Sequence, residues 1–398
     1  MLLSRTCSTA EVFVTFLELG LTSFGGPIAH LGYFRRELVE RRRWVTESQF
    51  AQLLALCQFL PGPASSQLGF SLGLLRAGWG GALTAFLAFT LPSAVALAVF
   101  AALLPQLSGP ASAAALHGLK LVALAVVAHG LLGMTRQLCP DLQRRLIAIV
   151  AAGILLVAAR AWLQLLMVAL GALAGLLFCR NLPALPEQEP AVGYGRKTGG
   201  ILLALFLLLL CALPLAAYGT GGQMAVAAAF YRVGALVFGG GHVVLPLLQE
   251  TVVSPGWLSV DEFLAGYGAA QAVPGPMFTL AAYLGARLPE GMGGLPGAAV
   301  ALGSIFLPGF LLVAGVLPFW RALTRHPLAA SAVAGVNAAV VGLLAAALYH
   351  PVWTGAVHGP TDLGIAMLGL AGLTVWRVSA LAVVIWCVAA SMAATLWF

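Results

Sequence analysis

The chain has 398 residues, 61% of them hydrophobic and 8% charged, with a formal net charge of +7. A soluble domain carries about 25% charged residues, so a wholly soluble protein is excluded, and apolar stretches of roughly 18 or more residues read as membrane spans. The positive charge is a topological signal and not a nucleic-acid footprint, because the basic residues collect in loops as the positive-inside bias requires.

Met1–Ala10 lacks the basic region, apolar core and small-residue cleavage site of a signal peptide, so the first apolar segment is expected to direct insertion and stay. Glu11–Phe24 is a half-length apolar helix, broken by Gly25-Gly26-Pro27 and continued by Ile28–Val39. Gln49–Leu60 is similar, broken by Pro61-Gly62-Pro63 and continued by Ala64–Leu75. A helix of ~14 residues spans ~21 Å, too short for a ~30 Å hydrocarbon core. Each broken segment therefore either crosses as a discontinuous helix or dips in and returns as a re-entrant hairpin. Ala111–Leu132 reads as a full span that encloses Lys120. Arg180–Lys197, rich in Pro, Glu and Gly, reads as a solvated loop, and Gly199–Tyr218 as an extra helix that joins two halves.

The halves are a duplication. Phe16, Gly20, Phe24, Gly25 and Gly26 recur at the same spacing as Phe230, Gly234, Phe238, Gly239 and Gly240. Trp44, Phe50, Gln58, Pro61, Gly62 and Pro63 recur as Trp257, Phe263, Gln271, Pro274, Gly275 and Pro276. Pro92 then falls opposite Pro308, and Gly118 opposite Gly335. The expected organisation is a first repeat over residues 1–180, a linker and connecting helix over 181–224, and a second repeat over 225–398.

Loop charges favour the hairpin reading. With both segments of the first repeat re-entering from the cytoplasm, Arg5, the Arg35–Arg43 cluster, Arg76, Arg136, Arg144, Arg145 and Arg180 all fall inside. The extra helix then starts the second repeat outside, where Gln249–Glu262 carries Glu250, Asp261 and Glu262 and no Lys or Arg. Arg287, offset by Glu290, is the weak point of this scheme. The predicted fold is thus an all-α integral membrane protein of two inverted repeats, with roughly nine full crossings and about four hairpins.

Non-helical backbone at membrane depth is tolerated only inside protein or beside water. A helix that begins after a break points free N–H groups and the positive dipole end at the midplane, which suits an anion; the helix that ends there suits a cation. Candidate substrate contacts in the first repeat are Ser23, Gly25, Gly26, Pro27, Gln58, Pro61, Gly62, Pro63, Ser65 and Ser66. Those in the second are Gly239, Gly240, Gly241, Gln271, Pro274, Gly275, Pro276 and Thr279. Gln58 and Gln271 either orient their loops or touch substrate. Ionisable groups within apolar segments are functional candidates by default. Lys120 is one, with Asn337 opposite it in the repeat. Glu18 and Arg232 occupy equivalent positions and either pair with each other or meet separate partners; His30 and His242 lie just beyond the breaks as proton-relay candidates. Arg36 is placed to attract anions at the cytoplasmic mouth.

No HExxH, GxSxG or paired carboxylate within a span supports an enzyme, and no GxxxxGK[ST] run supports an ATP-driven pump. The six cysteines form no CxxC pair, so neither metal nor cofactor is expected.

The motifs are similar to those of the chromate ion transporter family in its long, two-domain form. The resemblance rests on Phe24-Gly25-Gly26-Pro27, the run from Arg36 to Trp44, Gln58 with Pro61-Gly62-Pro63, and Gly73 to Trp79. In the second half it rests on Phe238-Gly239-Gly240-Gly241, Gln271 with Pro274-Gly275-Pro276, and Gly335 to Ala339. It implies efflux of chromate across the bacterial cytoplasmic membrane, driven by the proton-motive force, and hence chromate resistance. Protons are then the coupling ion and the lipid bilayer the surroundings, with a homodimer left open. Sulfate has the same shape and charge; a transporter of sulfate or molybdate, running inward, is the alternative.

Overall fold

The computed structural model describes residues 8–106, 109–158, 161–179, 193–219, 221–238, 241–320 and 327–397. Among them every regular element is helical. The first set is α1 (Thr9–Thr22), α2 (Gly26–Phe34, widening into a further turn over Arg35–Arg41), α3 (Glu47–Phe59), α4 (Ala64–Leu103), α5 (Pro110–Leu138), α6 (Leu142–Val157) and α7 (Ala161–Phe178). A lone helix, α8 (Arg196–Ala217), follows. The second set is α9 (Gly222–Leu236), α10 (Val244–Val252), α11 (Val260–Ala270), α12 (Leu280–Arg287), α13 (Gly294–Val316), α14 (Pro327–Ala347), α15 (Pro360–Thr374) and α16 (Ala380–Trp397).

The order of elements recurs once α4 is divided. Ala77 and Gly78 leave helical geometry, and Gly78 sits at φ 63°. The backbones of Gly73 and Gly81 touch across this bend; a straight helix would hold them ~12 Å apart. α4 is therefore two antiparallel limbs. Gly285 and Gly297 make the same contact between α12 and α13. Glycine is needed at such crossings because a Cβ would collide with the opposing carbonyl.

The broken segments turn back on themselves. Arg42, beyond α2, reaches Glu11 at 3.9 Å and Glu18 at 3.8 Å on α1. Phe16 and Phe34 pack edge to face at 5.6 Å within that hairpin. The Arg76 guanidinium at the end of the first α4 limb lies 5.5 Å over the Trp44 ring, just ahead of α3. In the second set, Tyr283 on α12 donates to the Glu262 carbonyl in the first turn of α11 at 2.9 Å, and Arg287 pairs with the Glu262 carboxylate. A continuous helix would hold these ends more than ~30 Å apart, so the hairpin alternative is the one adopted. Arg287 is offset by Glu262 and not by Glu290 as expected.

α1 lies against the second limb of α4 at Gly20, where a Cβ would stand 2.8 Å from the Phe89 carbonyl. α9 meets α13 in the same way at Gly234, beside Pro308. Five helices among the described residues are long and apolar enough to cross a membrane, and α8 buries 0% of its most apolar window, as befits a helix facing lipid. The other four expected crossings, α6, α7, α15 and α16, are shorter, at 16, 18, 15 and 18 residues.

The last two helices of each set pack on the other set. Gly171 and Gly175 of α7 sit backbone to backbone with Ser331 and Gly335 of α14, and Gly342 of α14 abuts Ala148 of α6. Reciprocally, Gly118 of α5 lies against Cys387 and Val388 of α16, whose Ser391 hydroxyl donates to the Ala114 carbonyl at 2.8 Å. Small residues let the helix backbones approach closely where no hydrophobic driving force separates helix from lipid.

Candidate functional site

The breaks meet at the centre through a reciprocal pair of backbone hydrogen bonds. Gly62 N–H donates to the Val237 carbonyl at 2.7 Å, and Gly275 N–H donates to the Ser23 carbonyl at 3.0 Å. Each Pro-Gly-Pro glycine thus closes the open end of the first helix of the opposite half. Both glycines require positive φ, 122° and 104°. Neither has room for a side chain: a Cβ on Gly62 would stand 2.8 Å from Gln67 Nε2 and 3.1 Å from Gly309 Cα, and one on Gly275 would stand 2.7 Å from Ser93 Oγ.

The Ser23 carbonyl also receives His30 Nε2 at 3.1 Å. A carbonyl only accepts, so Nε2 carries the proton and Nδ1 is the free ring nitrogen. Nδ1 has no partner, and His30 is fully buried against Phe89. Gln67 bridges the halves, its Nε2 donating to Pro61 O at 2.9 Å and to Gly309 O at 3.0 Å while its Oε1 is unpartnered. Ser23 Oγ, Ser66 Oγ and Thr90 Oγ1 are likewise buried without partners.

Helix starts differ in their caps. Thr46 with Gln49 and Ser259 with Glu262 form reciprocal capping boxes, and Ser8 and Asp141 cap α1 and α6, whereas α5, α8, α9, α13 and α15 follow glycines with no side-chain cap. The helices that start at the breaks follow Gly25, Pro63 and Pro276, none of which offers a side-chain cap. Their first N–H groups stay available to a ligand.

The sequence-derived residues divide accordingly. Gly25, Gly26, Pro61, Gly62, Pro63, Ser65 and Ser66 line the first-half breaks, with Gly25 and Gly26 at φ 101° and 74°. Pro276 accepts the Thr279 hydroxyl at 2.7 Å, so Thr279 is satisfied within its own turn. Gly241 opens the short turn before α10, with Pro274 in the following break. Gly239, Gly240 and the side chains of Pro27 and His242 lie outside the described residues.

Gln58 is exposed, whereas Gln271 is buried and bonds back to the Tyr267 carbonyl at 3.4 Å. Lys120 is 8% exposed and pairs with Asp261 at 2.9 Å. Asn337 Oδ1 is buried and unpartnered. Of the two open readings of Glu18, the structure takes the separate partner: Glu18 meets Arg42, and Arg232 is exposed with no ion pair among the described residues. Arg36 is exposed on the turn at the outer end of the first hairpin.

Sequence reasoning missed Gln67, Thr90 and Ser93. Thr90 and Ser93 flank Pro92 in the repeated Leu-Pro motif, and Gln67 lies one residue past Ser66. For Gln67 the available signal was a polar residue one helical turn from a break; for Thr90 and Ser93 it was polarity beside a proline repeated inside a helix.

A helical membrane protein whose broken helices gather unpartnered polar groups at a buried centre has the architecture of a transport protein. The family described as "Chromate transporter" matches residues 10–176 and again 224–394. A probable chromate transport protein of Synechococcus elongatus is 32% identical over 338 residues, 84% of this chain and 82% of the relative. The chromate transport proteins of Pseudomonas aeruginosa and Cupriavidus metallidurans are each 28% identical, covering 98% and 90% of this chain and 93% and 86% of theirs. The chain belongs to the chromate transporter family, and with it to transport proteins rather than enzymes. No solved structure matches it.

Proposed function

We propose that the chain exports chromate across the bacterial cytoplasmic membrane at the expense of the proton-motive force, and so confers chromate resistance. The observation that carries this reading is the set of buried donors without partners around the reciprocal Gly62 and Gly275 bonds. Chromate is a tetrahedral dianion that presents only acceptor oxygens. The hydroxyls of Ser23, Ser66 and Thr90 and the uncapped starts of α2 and α4 offer O–H and N–H groups to such a ligand. Leaving these groups bare costs about 1–3 kcal/mol each, which a bound oxyanion would recover.

Lys120 is held by Asp261, so dianion charge at the centre is met by helix ends and hydroxyls. His30 supports proton coupling: with Nε2 fixed on Ser23 O, a proton taken up at Nδ1 turns that atom into a donor beside the same breaks. The reading takes residues 1–180 and 225–398 as inverted repeats joined by 181–224, which sets the two break pairs to exchange access by rocking. Recognition by shape and charge alone admits sulfate, so a sulfate or molybdate carrier is the second reading.

Flux of labelled chromate into inside-out vesicles tests this, with and without a proton gradient and with excess sulfate. Accumulation that collapses with an uncoupler supports proton-driven export. Sulfate accumulation with no chromate movement, in folded protein, selects the second reading.

A further inference from the structure

A second polar cluster lies away from the breaks, where α5 of the first half meets the start of α15. His117 Nε2 is 2.8 Å from Asp362 Oδ1, and His358 Nδ1 is 4.0 Å from Asp362 Oδ2. The two imidazoles stack at 5.4 Å between centroids with 28° between planes. One ligand atom from each of the three residues lies within 4.8 Å of the others. We propose that His117, His358 and Asp362 form a binding site for a divalent transition-metal cation of the zinc class, which ties the two halves together.

The donor set is two imidazoles and one carboxylate, the combination that favours zinc-class ions over calcium or magnesium. Tetrahedral ligation at ~2.0–2.2 Å puts donor atoms ~3.3–3.5 Å apart. The three donors bracket that spacing, so a cation enters by small rotations of the two rings. The fourth position is open, because the His358 side chain is 60% exposed and the site is reachable from solvent. The carboxylate is already held: Asp362 Oδ2 accepts the His358 backbone N–H at 2.9 Å, which fixes its orientation as an outer partner does in a metal centre. Aromatic stacking alone does not explain why two imidazoles from different halves converge on one carboxylate, since each would be satisfied by water at this edge. Ligation by Nε2 takes the neutral His117 imidazole with its proton moved to Nδ1, so the Nε2–Asp362 hydrogen bond gives way to a metal bond with no net change in the ring's charge.

The test is titration of untagged full-length protein in detergent with Zn²⁺, and with Mg²⁺ as control, in a Cys7→Ser, Cys211→Ser background that removes the one exposed thiol among the described residues and the cysteine outside them. One Zn²⁺ per chain is expected, with Mg²⁺ inert and a rise in melting temperature on Zn²⁺ addition. H117A and H358A should each weaken Zn²⁺ binding by about tenfold or more. H358A changes an exposed side chain, so its metal-free melting temperature should equal that of the parent. H350A, whose imidazole bonds Thr354 outside the cluster, should bind as the parent does. Absence of a saturable single site, or H117A and H358A proteins that bind as tightly as the parent, would overturn the proposal.

Discussion

The two halves build the same centre with different side chains. Where the first half has Ser23, His30, Gln67, Thr90 and Ser93, the corresponding positions of the second are Val237, Val244, Leu280, Phe306 and Gly309. The backbone is shared, since each Pro-Gly-Pro glycine bonds the opposite half; apart from Gln58 with Gln271 and Ser66 with Thr279, the polar side chains are not. On the proposed function, this division assigns the scaffold to both halves and most of the ligand contacts to one, so that a duplicated sequence keeps a shared scaffold around a one-sided site.

The comparison breaks hardest at the shared glycines. Gly62→Leu and Gly275→Leu both impose an L-residue at positive φ and a side chain where even a Cβ lacks room. Vesicle flux should fall about a hundredfold or more in each, with protein still in the membrane. Gly26→Leu meets no atom within 4 Å of its Cβ and carries only the strain of φ 74°, so its loss should be smaller, about tenfold.

Next comes Gln67→Leu, which gives the first half the residue of the second. It strips a donor from the Pro61 and Gly309 carbonyls, and bare buried carbonyls cost about 1–3 kcal/mol each. Flux should drop about tenfold, and the melting temperature of purified protein should fall with it.

Serine swaps sharpen the asymmetry. Ser23→Val should raise the apparent KM for chromate about threefold to tenfold, whereas Val237→Ser should leave it within about twofold. Equal effects from the two swaps would make the site symmetric after all.

The smallest effects belong to the outer charges. Lys120→Ala should leave KM within about twofold, since Asp261 already engages the ammonium. Asp261→Ala should lower thermal stability more than Lys120→Ala does, because it leaves a buried cation alone. Burial of Glu37 raises its pKa, but hydrogen bonds from Arg42 and Arg41 outweigh that and hold the carboxyl below its ordinary value. Its contribution is present above the ordinary carboxylate pKa of about 4.3 and lost as pH falls through the folded value. Glu37→Gln should remove that acid-side dependence from the melting curve, a change of about 1 kcal/mol or less for this half-solvated cluster.

Much of this was legible in residue order. The repeated glycines and prolines announce the breaks because few other residues tolerate their backbone, and Gly62, Gly275, Gly20 and Gly234 each mark a contact made between elements. The charge-based preference for hairpins matches the Arg42–Glu11 and Tyr283–Glu262 contacts. Side-chain partners were not legible. Lys120 looks like a free intramembrane cation until Asp261 arrives from 141 residues away. Symmetry left Glu18 and Arg232 free to pair or to find separate partners, and only the fold brings Arg42, closer in the chain, to Glu18. Gln67 carries no motif of its own, and its role depends on Gly309 of the other half.

The exchange of terminal helix pairs has a consequence for biogenesis. α6 and α7 leave the ribosome long before α14, the helix that Gly171 and Gly175 are shaped to receive. They must wait in the bilayer with a glycine-lined face uncovered, and α5 waits longer still for α16. The first half is locked only once α16 has been made, so a nascent chain cut short before α16 should be cleared by membrane proteolysis, and two half-chains made in one cell should rescue each other.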